Sequence, residues 1–246
     1  MDFAEQVAVV TGAARGLGLA VAAMLARRGA RVCLFDLDRP ELERVTQRLR
    51  QEGLDVFALH GDTAVEEDVA ALRGELEHSA GGRLDVLVNN AGGWRQGQLR
   101  DISLSDWDWT FRTNVTGPFL TTRALVDLMI GRRYGRIVNV ASADAHRAKP
   151  KLPHYAAAKA AVVSLTKSLA EEMAPHQVLV NAVSPGTMAT EGATQQPWFA
   201  ERIKQIPLGR PAEPDDIAEL ILFLASARNR FVVGETVIAS GGMLMI

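Results

Sequence analysis

Several features that betray other kinds of protein are scarce in this chain. There is one cysteine, Cys33, so no internal disulfide can form, which fits a reducing cytoplasm. It sits in the apolar run Val32-Cys33-Leu34-Phe35, where a buried strand thiol is expected rather than a reactive one. Neither sign of charge is in excess. The formal net charge is −2, so no basic field advertises nucleic acid or an anionic membrane. No apolar stretch reaches the roughly 18 residues of a membrane span, and the acidic opening Met1-Asp2-Phe3-Ala4-Glu5 does not read as a signal peptide. Repeats, low-complexity tracts and long linkers are missing, and no His, Cys and Asp cluster has metal-ligand spacing. The expectation is one metal-free domain over residues 1–246. Tyrosine occurs only twice, which makes the surroundings of Tyr155 informative.

Apolar residues are plentiful, 48% of the chain, and they come in short runs between amphipathic stretches. Runs at 6–11, 31–35, 55–60, 85–89, 136–141, 178–184 and 235–239 predict strands. Segments at 16–28, 40–52, 66–79, 105–131, 155–173 and 214–225 predict helices. The strands are nearly continuous hydrophobics such as Val7-Ala8-Val9-Val10, the pattern of strands covered on both faces. The expected fold class is α/β: a single doubly wound Rossmann-type domain with a parallel sheet of about seven strands flanked by helices on both faces. Ligands of such sheets bind beyond the carboxyl ends of the strands, around the switch in strand order. Asn89, Ser142 and Pro185 end or directly follow strands and are expected to line that edge. Residues 187–208 break the rhythm with Gly192, Pro197 and Pro207 around a short amphipathic piece at 198–205. A long connection at this edge suggests a lid over the substrate, with an inert surface loop as the competing view.

Three glycines, Gly12, Gly16 and Gly18, follow the first strand and open the first helix, with Arg15 and Leu17 between them. Glycines there permit a tight turn and let a ligand's diphosphate approach the backbone, while the helix N-terminus supplies N–H groups and a positive dipole end. Strand before and helix after raise an otherwise weak motif to a dinucleotide site. Asp36 ends the second strand, where an acid accepts hydrogen bonds from adenosine ribose hydroxyls and repels a 2′-phosphate. It favours NAD over NADP. Arg15 points the other way, as a cation that holds such a phosphate.

Ser142 lies thirteen residues before Tyr155, at the end of a strand-like run, and Lys159 lies one helical turn after it. A free phenol has a pKa of about 10 and is a poor base at neutral pH. A cation on its face lowers that value toward the range of a general acid–base, and a strand-end hydroxyl can hold a substrate oxygen beside it. The arrangement suits proton exchange with an alcohol or carbonyl.

These residues together resemble the short-chain dehydrogenases/reductases. The likeness runs through Thr11-Gly12-x3-Gly16-x-Gly18, Asn89-Asn90-Ala91-Gly92, Asn114, Ser142, Tyr155-x3-Lys159, Pro185-Gly186 and Pro207–Arg210, over nearly the whole chain. It implies that Tyr155 is the catalytic acid–base. Lys159 lowers its pKa and holds the nicotinamide ribose, Ser142 orients the substrate oxygen, and Asn114 holds a water in a proton relay. It further implies that Asp62 and Thr63 flank the adenine and that Asn90, Ala91 and Gly92 pass the adenosine side of the cofactor. Pro185, Gly186, Met188 and Thr190 contact the nicotinamide end. The family is usually tetrameric, so a homotetramer is expected. From the residues alone, Asn114 is as readily a polar residue relieving a helix bend before Gly117-Pro118, and Ser142 as readily a turn residue. Asn89 leans toward a structural role.

The implied activity is reversible hydride transfer between NAD and a secondary alcohol or ketone. The chain also resembles NADPH-dependent 3-oxoacyl thioester reductases, and a cofactor-sensing protein without catalysis is a more distant alternative. Between Ser142 and Tyr155 lie His146, Arg147, Lys149, Lys151 and His154 against one acid, Asp144. This is either a solvated basic loop or a region that attracts an anionic substrate. Trp94, Arg95, Trp198 and Phe199 are candidates for the same pocket.

Overall fold

The structure, a computed structural model, describes residues 2–246. The alternation of apolar runs and amphipathic stretches becomes β1 (Val7–Thr11), α1 (Gly16–Arg27), β2 (Arg31–Asp36), α2 (Arg39–Gln51), β3 (Val56–His60), α3 (Glu66–Ser79) and β4 (Val86–Asn89). It continues as α4 (Leu104–Phe111), α5 (Gly117–Ile130), β5 (Gly135–Val140), α6 (Pro153–Met173), β6 (Val178–Pro185), the short α7 (Glu191–Thr194) and α8 (Phe199–Ile203), α9 (Pro214–Ala225) and β7 (Thr236–Ala239). Among the described residues these strands form one parallel seven-stranded sheet in the order β3-β2-β1-β4-β5-β6-β7. Strand order reverses between β1 and β4, where Val10 pairs with Val88.

Alternate side chains of β1 and β2 leave on opposite faces, and each face meets its own core. Ala8, Val10, Val32 and Leu34 pack with Leu25 of α1, Leu49 of α2 and Ile221 of α9. Val7, Val9, Cys33 and Phe35 pack with Leu76 of α3, Met129 of α5 and Met173 of α6. This double burial is why the strands read as unbroken hydrophobics. Cys33 is fully buried, and burial pushes its thiol well above the ordinary range, which leaves it inert.

Asn89 departs from the expected position at the ligand edge. It is buried in the sheet and absent from the cavity wall, donating to Asn139 Oδ1 at 2.9 Å and Thr122 Oγ1 at 3.1 Å and accepting from Thr121 Oγ1 at 2.6 Å. Asn139 in turn donates to Thr166 Oγ1 at 2.9 Å. A polar chain therefore ties β4 and β5 to α5 and α6, and every buried amide in it has a partner.

The helix predicted over 105–131 is divided. Between α4 and α5, residues Arg112–Thr116 form a π turn, closed by Gly117 N–H donating to the Arg112 carbonyl. Pro118 lacks the N–H that the Asn114 carbonyl would meet in an α-helix, and its ring crowds that carbonyl; widening by one residue relieves both. Helix α6 starts two residues earlier than predicted, with Pro153 in its first turn, where a missing N–H costs nothing.

Candidate active site

The carboxyl edge of the sheet opens into a cavity of about 1310 Å³, larger than a drug-sized ligand needs. At one end, β1 turns into α1 through Gly12, whose φ of 64° is open to glycine and whose added Cβ would stand 2.9 Å from the Ala91 Cα. A Cβ on Gly18 would overlap the Gly12 carbonyl oxygen, so helix and turn pack backbone to backbone. Helix α1 has no side-chain cap and no acid in its first turn, whereas Asp38 caps α2 and Ser103 caps α4. Its first N–H groups are thus left for a ligand, and the dipole end favours an anionic one. Asn90 Nδ2 donates to the carbonyls of Thr11 at 2.9 Å and Gly12 at 3.0 Å, fixing the turn.

Asp36 stands at the end of β2 with both oxygens bonded, accepting from Ala14 N–H at 2.9 Å and from Asp38 N–H at 2.9 Å. Asp38 forms an ion pair with Arg15. The two acids and the paired cation all line the cavity. Asp62 and Thr63 follow β3 on the same wall, with Asp62 Oδ1 accepting from Ala64 N–H at 2.8 Å.

At the other end Ser142 follows β5, its hydroxyl accepting from Asp144 N–H at 3.1 Å to start a 3-10 turn. Tyr155 and Lys159 come from the first turns of α6. Lys159 is 4% exposed and its ammonium donates to the Val140 carbonyl at 2.8 Å, lying 5.8 Å from the centroid of the Tyr155 ring. Burial pulls the Lys159 ammonium down to about 8. The Tyr155 phenol is raised, not lowered as its helical neighbour Lys159 led one to expect. Burial pushes the phenol up to about 12, the Ser142 hydroxyl pulls it down, and the Asp144 charge pushes it up. The bond that the ammonium makes goes to a backbone carbonyl, and among the described residues no hydrogen bond joins it to the phenol. Trp94 stands edge-on to Tyr155 with ring centroids 6.2 Å apart.

Pro185, Gly186, Met188 and Thr190 descend from β6 along the cavity, held by Gly186 N–H on the Ala239 carbonyl at 2.8 Å and a bridge of Met188 to Ala212. The Thr190 methyl lies 3.6 Å from where a Gly16 Cβ would stand, so this segment returns to the glycine turn. Residues Thr190, Trp198 and Arg202 of the 187–208 segment contribute to the wall.

Of the residues singled out by sequence, Gly12, Arg15, Gly16, Leu17, Asp36, Asp62, Thr63, Asn90, Ala91, Gly92, Trp94, Ser142, Arg147, Lys149, Tyr155, Lys159, Pro185, Gly186, Met188, Thr190 and Trp198 share this one cavity. Gly18 and Asn114 stand behind its wall. Asn114 is fully buried, donating to the carbonyls of Gly93 and Thr110 at 2.9 Å each. A Cβ added to Gly92 would stand 2.8 Å from Asn114 Oδ1 and 3.2 Å from Lys159 Nζ, so the two polar groups converge there.

Other candidates lie elsewhere. Arg95 is turned to Asp106 at 2.6 Å and lies over the Trp109 ring, and Phe199 is outside the wall. His146 bonds Ser184 at 2.9 Å, and His154 is buried away from the cavity. Sequence reasoning missed Asp38, Trp109 and Arg202 in the wall. Asp38 carried a signal, as an acid at a helix start two residues after Asp36; Arg202 carried none, because it arrives from 58 residues beyond its partner Asp144.

Comparison with known proteins finds relatives along nearly the whole chain. The family model described as Enoyl-(Acyl carrier protein) reductase matches residues 12–244. A 3-oxoacyl-(acyl-carrier-protein) reductase of Staphylococcus aureus is 36% identical over 241 residues, covering 97% of this chain and 98% of the relative. A 2-(S)-hydroxypropyl-CoM dehydrogenase of Xanthobacter autotrophicus is 36% identical over 250 residues, covering 98% of each. The crystal structure of a short-chain type dehydrogenase/reductase from Mycobacterium marinum superposes with a TM-score of 0.93 at 32% identity, covering 100% of this chain and 98% of that one.

Proposed function

The chain belongs to the short-chain dehydrogenase/reductase family, oxidoreductases acting on CH–OH groups with NAD(P), and on that premise we propose an NAD-linked secondary alcohol dehydrogenase or ketone reductase with Tyr155 as acid–base. The observation that carries it is the meeting, in one cavity, of an uncapped glycine-edged helix start with Ser142, Tyr155 and Lys159.

The residues fit a dinucleotide. The α1 start and Gly12 and Gly16 suit the diphosphate, Asp36 the adenosine ribose, Asp62 and Thr63 the adenine, and Pro185 to Thr190 the nicotinamide end. When bound, the cofactor supplies the hydride acceptor or donor. Tyr155 carries the proton that accompanies it. As the neutral phenol it donates to a carbonyl oxygen; as the phenolate it takes the proton of an alcohol. Ser142 holds that oxygen, and Lys159, Gly92 and Asn114 offer a route for the proton away from the phenol. Asp36 and Asp38 set two carboxylates at the end of β2, the side this reading gives to the adenosine ribose, where they would repel a 2′-phosphate, and Asp38 is paired with Arg15, a cation that would otherwise attract it. That supports NAD over NADP, and it weighs against a strictly NADPH-dependent thioester reductase despite the likeness to such relatives.

Residues 187–208 act as the lid in this reading. Exposed Leu104, Trp107 and Phe119 on α4 and α5 support the expected homotetramer. The single cysteine supports a cytoplasmic setting. Initial rates with NADH and NADPH across a panel of ketones test the activity. Tyr155→Phe should retain NADH binding and lose turnover; unchanged turnover overturns the mechanism.

A further inference from the structure

Beside Ser142 the cavity wall holds more positive charge than proton transfer uses. Asp144 Oδ1 accepts from Arg147 Nε at 3.0 Å and Nη2 at 2.8 Å and from Arg202 Nη2 at 3.3 Å, while Lys149 Nζ lies 3.0 Å from Oδ2. Arg147 and Lys149 belong to the loop between β5 and α6; Arg202 comes from α8, a separate element of the cavity wall. The cation side chains are 24%, 19% and 21% exposed and Asp144 is 13% exposed, so these are not freely solvated surface charges. One carboxylate cannot neutralise three cations. Nor does it use all of their donors, since each guanidinium carries five N–H groups and the ammonium three. Among the described residues no second acceptor bonds these three side chains. Of the other acids on the wall, Glu201 is drawn outward to Lys204 at 2.9 Å, and Glu191 opens α7.

We propose that Arg147, Lys149 and Arg202 form an oxyanion-recognition site, so that the substrate is a secondary alcohol or ketone carrying a carboxylate, phosphonate or similar group. Asp144 gathers three mutually repelling charges at one point and leaves their remaining donors for the incoming anion. The planar forks of two arginines match the paired oxygens of such a group. Because Arg202 sits on the 187–208 segment, a shared anion fastens that segment to the loop behind Ser142. The inference rests on the oxidoreductase reading above and gives it a substrate class.

The test pairs each charged ketone with its ester: 3-oxobutanoate and 5-oxohexanoate with their methyl esters, and 2-oxopropylphosphonate with its dimethyl ester. Two readouts are taken, kcat/KM with NADH and calorimetric binding of each compound without turnover. At least one anion should exceed its ester by about tenfold or more in both, and the carboxylate and phosphonate arms identify which oxyanion is preferred. Arg147→Ala and Arg202→Ala should each weaken the anion about tenfold and the ester less than about threefold, with Arg202→Lys restoring only part of the preference, because an ammonium keeps the charge and lacks the fork. Adding about 0.5 M salt should erode it. Equal values for anion and ester, or variants that weaken both alike, overturn the site while leaving the oxidoreductase reading intact. Anion binding lost in Arg202→Ala, with no ketone reduced, supports the site and removes that reading instead.

Discussion

The Lys159 ammonium donates to the Val140 carbonyl at 2.8 Å, although Tyr155 stands one turn before it on the same helix. Its charge is anchored to β5, and burial draws its pKa to about 8 while the phenol rises to about 12. Ketone reduction, which needs the neutral phenol, should therefore be nearly flat through neutral pH. Alcohol oxidation should rise with pH through the mildly alkaline range. Lys159→Gln should lower oxidation at about pH 8 by two orders of magnitude and move the rising limb higher. A kcat/KM profile superimposable on the wild type would remove Lys159 from the proton chemistry.

The same shift has a consequence for stability. The folded-state pKa of about 8 lies below the ordinary 10.5, so the unfolded chain binds more protons between those values. Burying this ammonium costs stability most fully below about 8, and the cost fades as pH rises toward 10.5. The stability gained by Lys159→Met relative to wild type should thus shrink across that window. Urea titrations at neutral pH and near pH 10 measure it.

Asp38 holds Arg15 as an ion pair beside Asp36. Asp38→Asn releases the guanidinium and removes one of two repelling carboxylates, so the NADPH to NADH rate ratio should rise about tenfold. An unaltered ratio in initial-rate assays would leave Asp36 as the sole discriminator.

Gly92 separates Asn114 Oδ1 from Lys159 Nζ, and an added Cβ would press on both. Gly92→Ala should reduce kcat about tenfold or more while NADH affinity changes only a few-fold, as read by fluorescence titration. Loss of both together would mean that the substitution disturbs the cofactor wall instead.

Asn89→Leu strips the partners of Thr122 in α5 and of the Asn139 side-chain carbonyl oxygen in β5, while Thr121 keeps the carbonyls of Gly117 and Pro118. Each orphaned buried group costs about 1–3 kcal/mol, so the variant should unfold at markedly lower denaturant. A midpoint within experimental error of the wild type would show that the network is dispensable.

The turn from β1 into α1 was legible because its signals are local: glycines at fixed spacing, a strand before, a helix after, and Asp36 at the next strand's end. The strands were legible because burial on both faces leaves no polar alternation to blur them. Two features were not. The π turn arises from Pro118 acting on a carbonyl four residues back, a backbone effect with no side-chain motif of its own, and the segments on either side of it each keep the helical period. The charges around Asp144 depend on Arg202, which only the chain's path over the cavity brings near. Asn89 read as a strand-end residue but is used inward, because its amide finds Asn139 on the neighbouring strand at the same register.

The extra residue in Arg112–Thr116 also sets a phase. One residue added to a helix rotates everything after it by about 100° about the axis. Trp109 before the turn can thereby face the ligand cavity while Leu125 and Met129 after it face the sheet. Deleting a single residue there would bring the two segments back into step, and one of those faces would have to turn away from its partner.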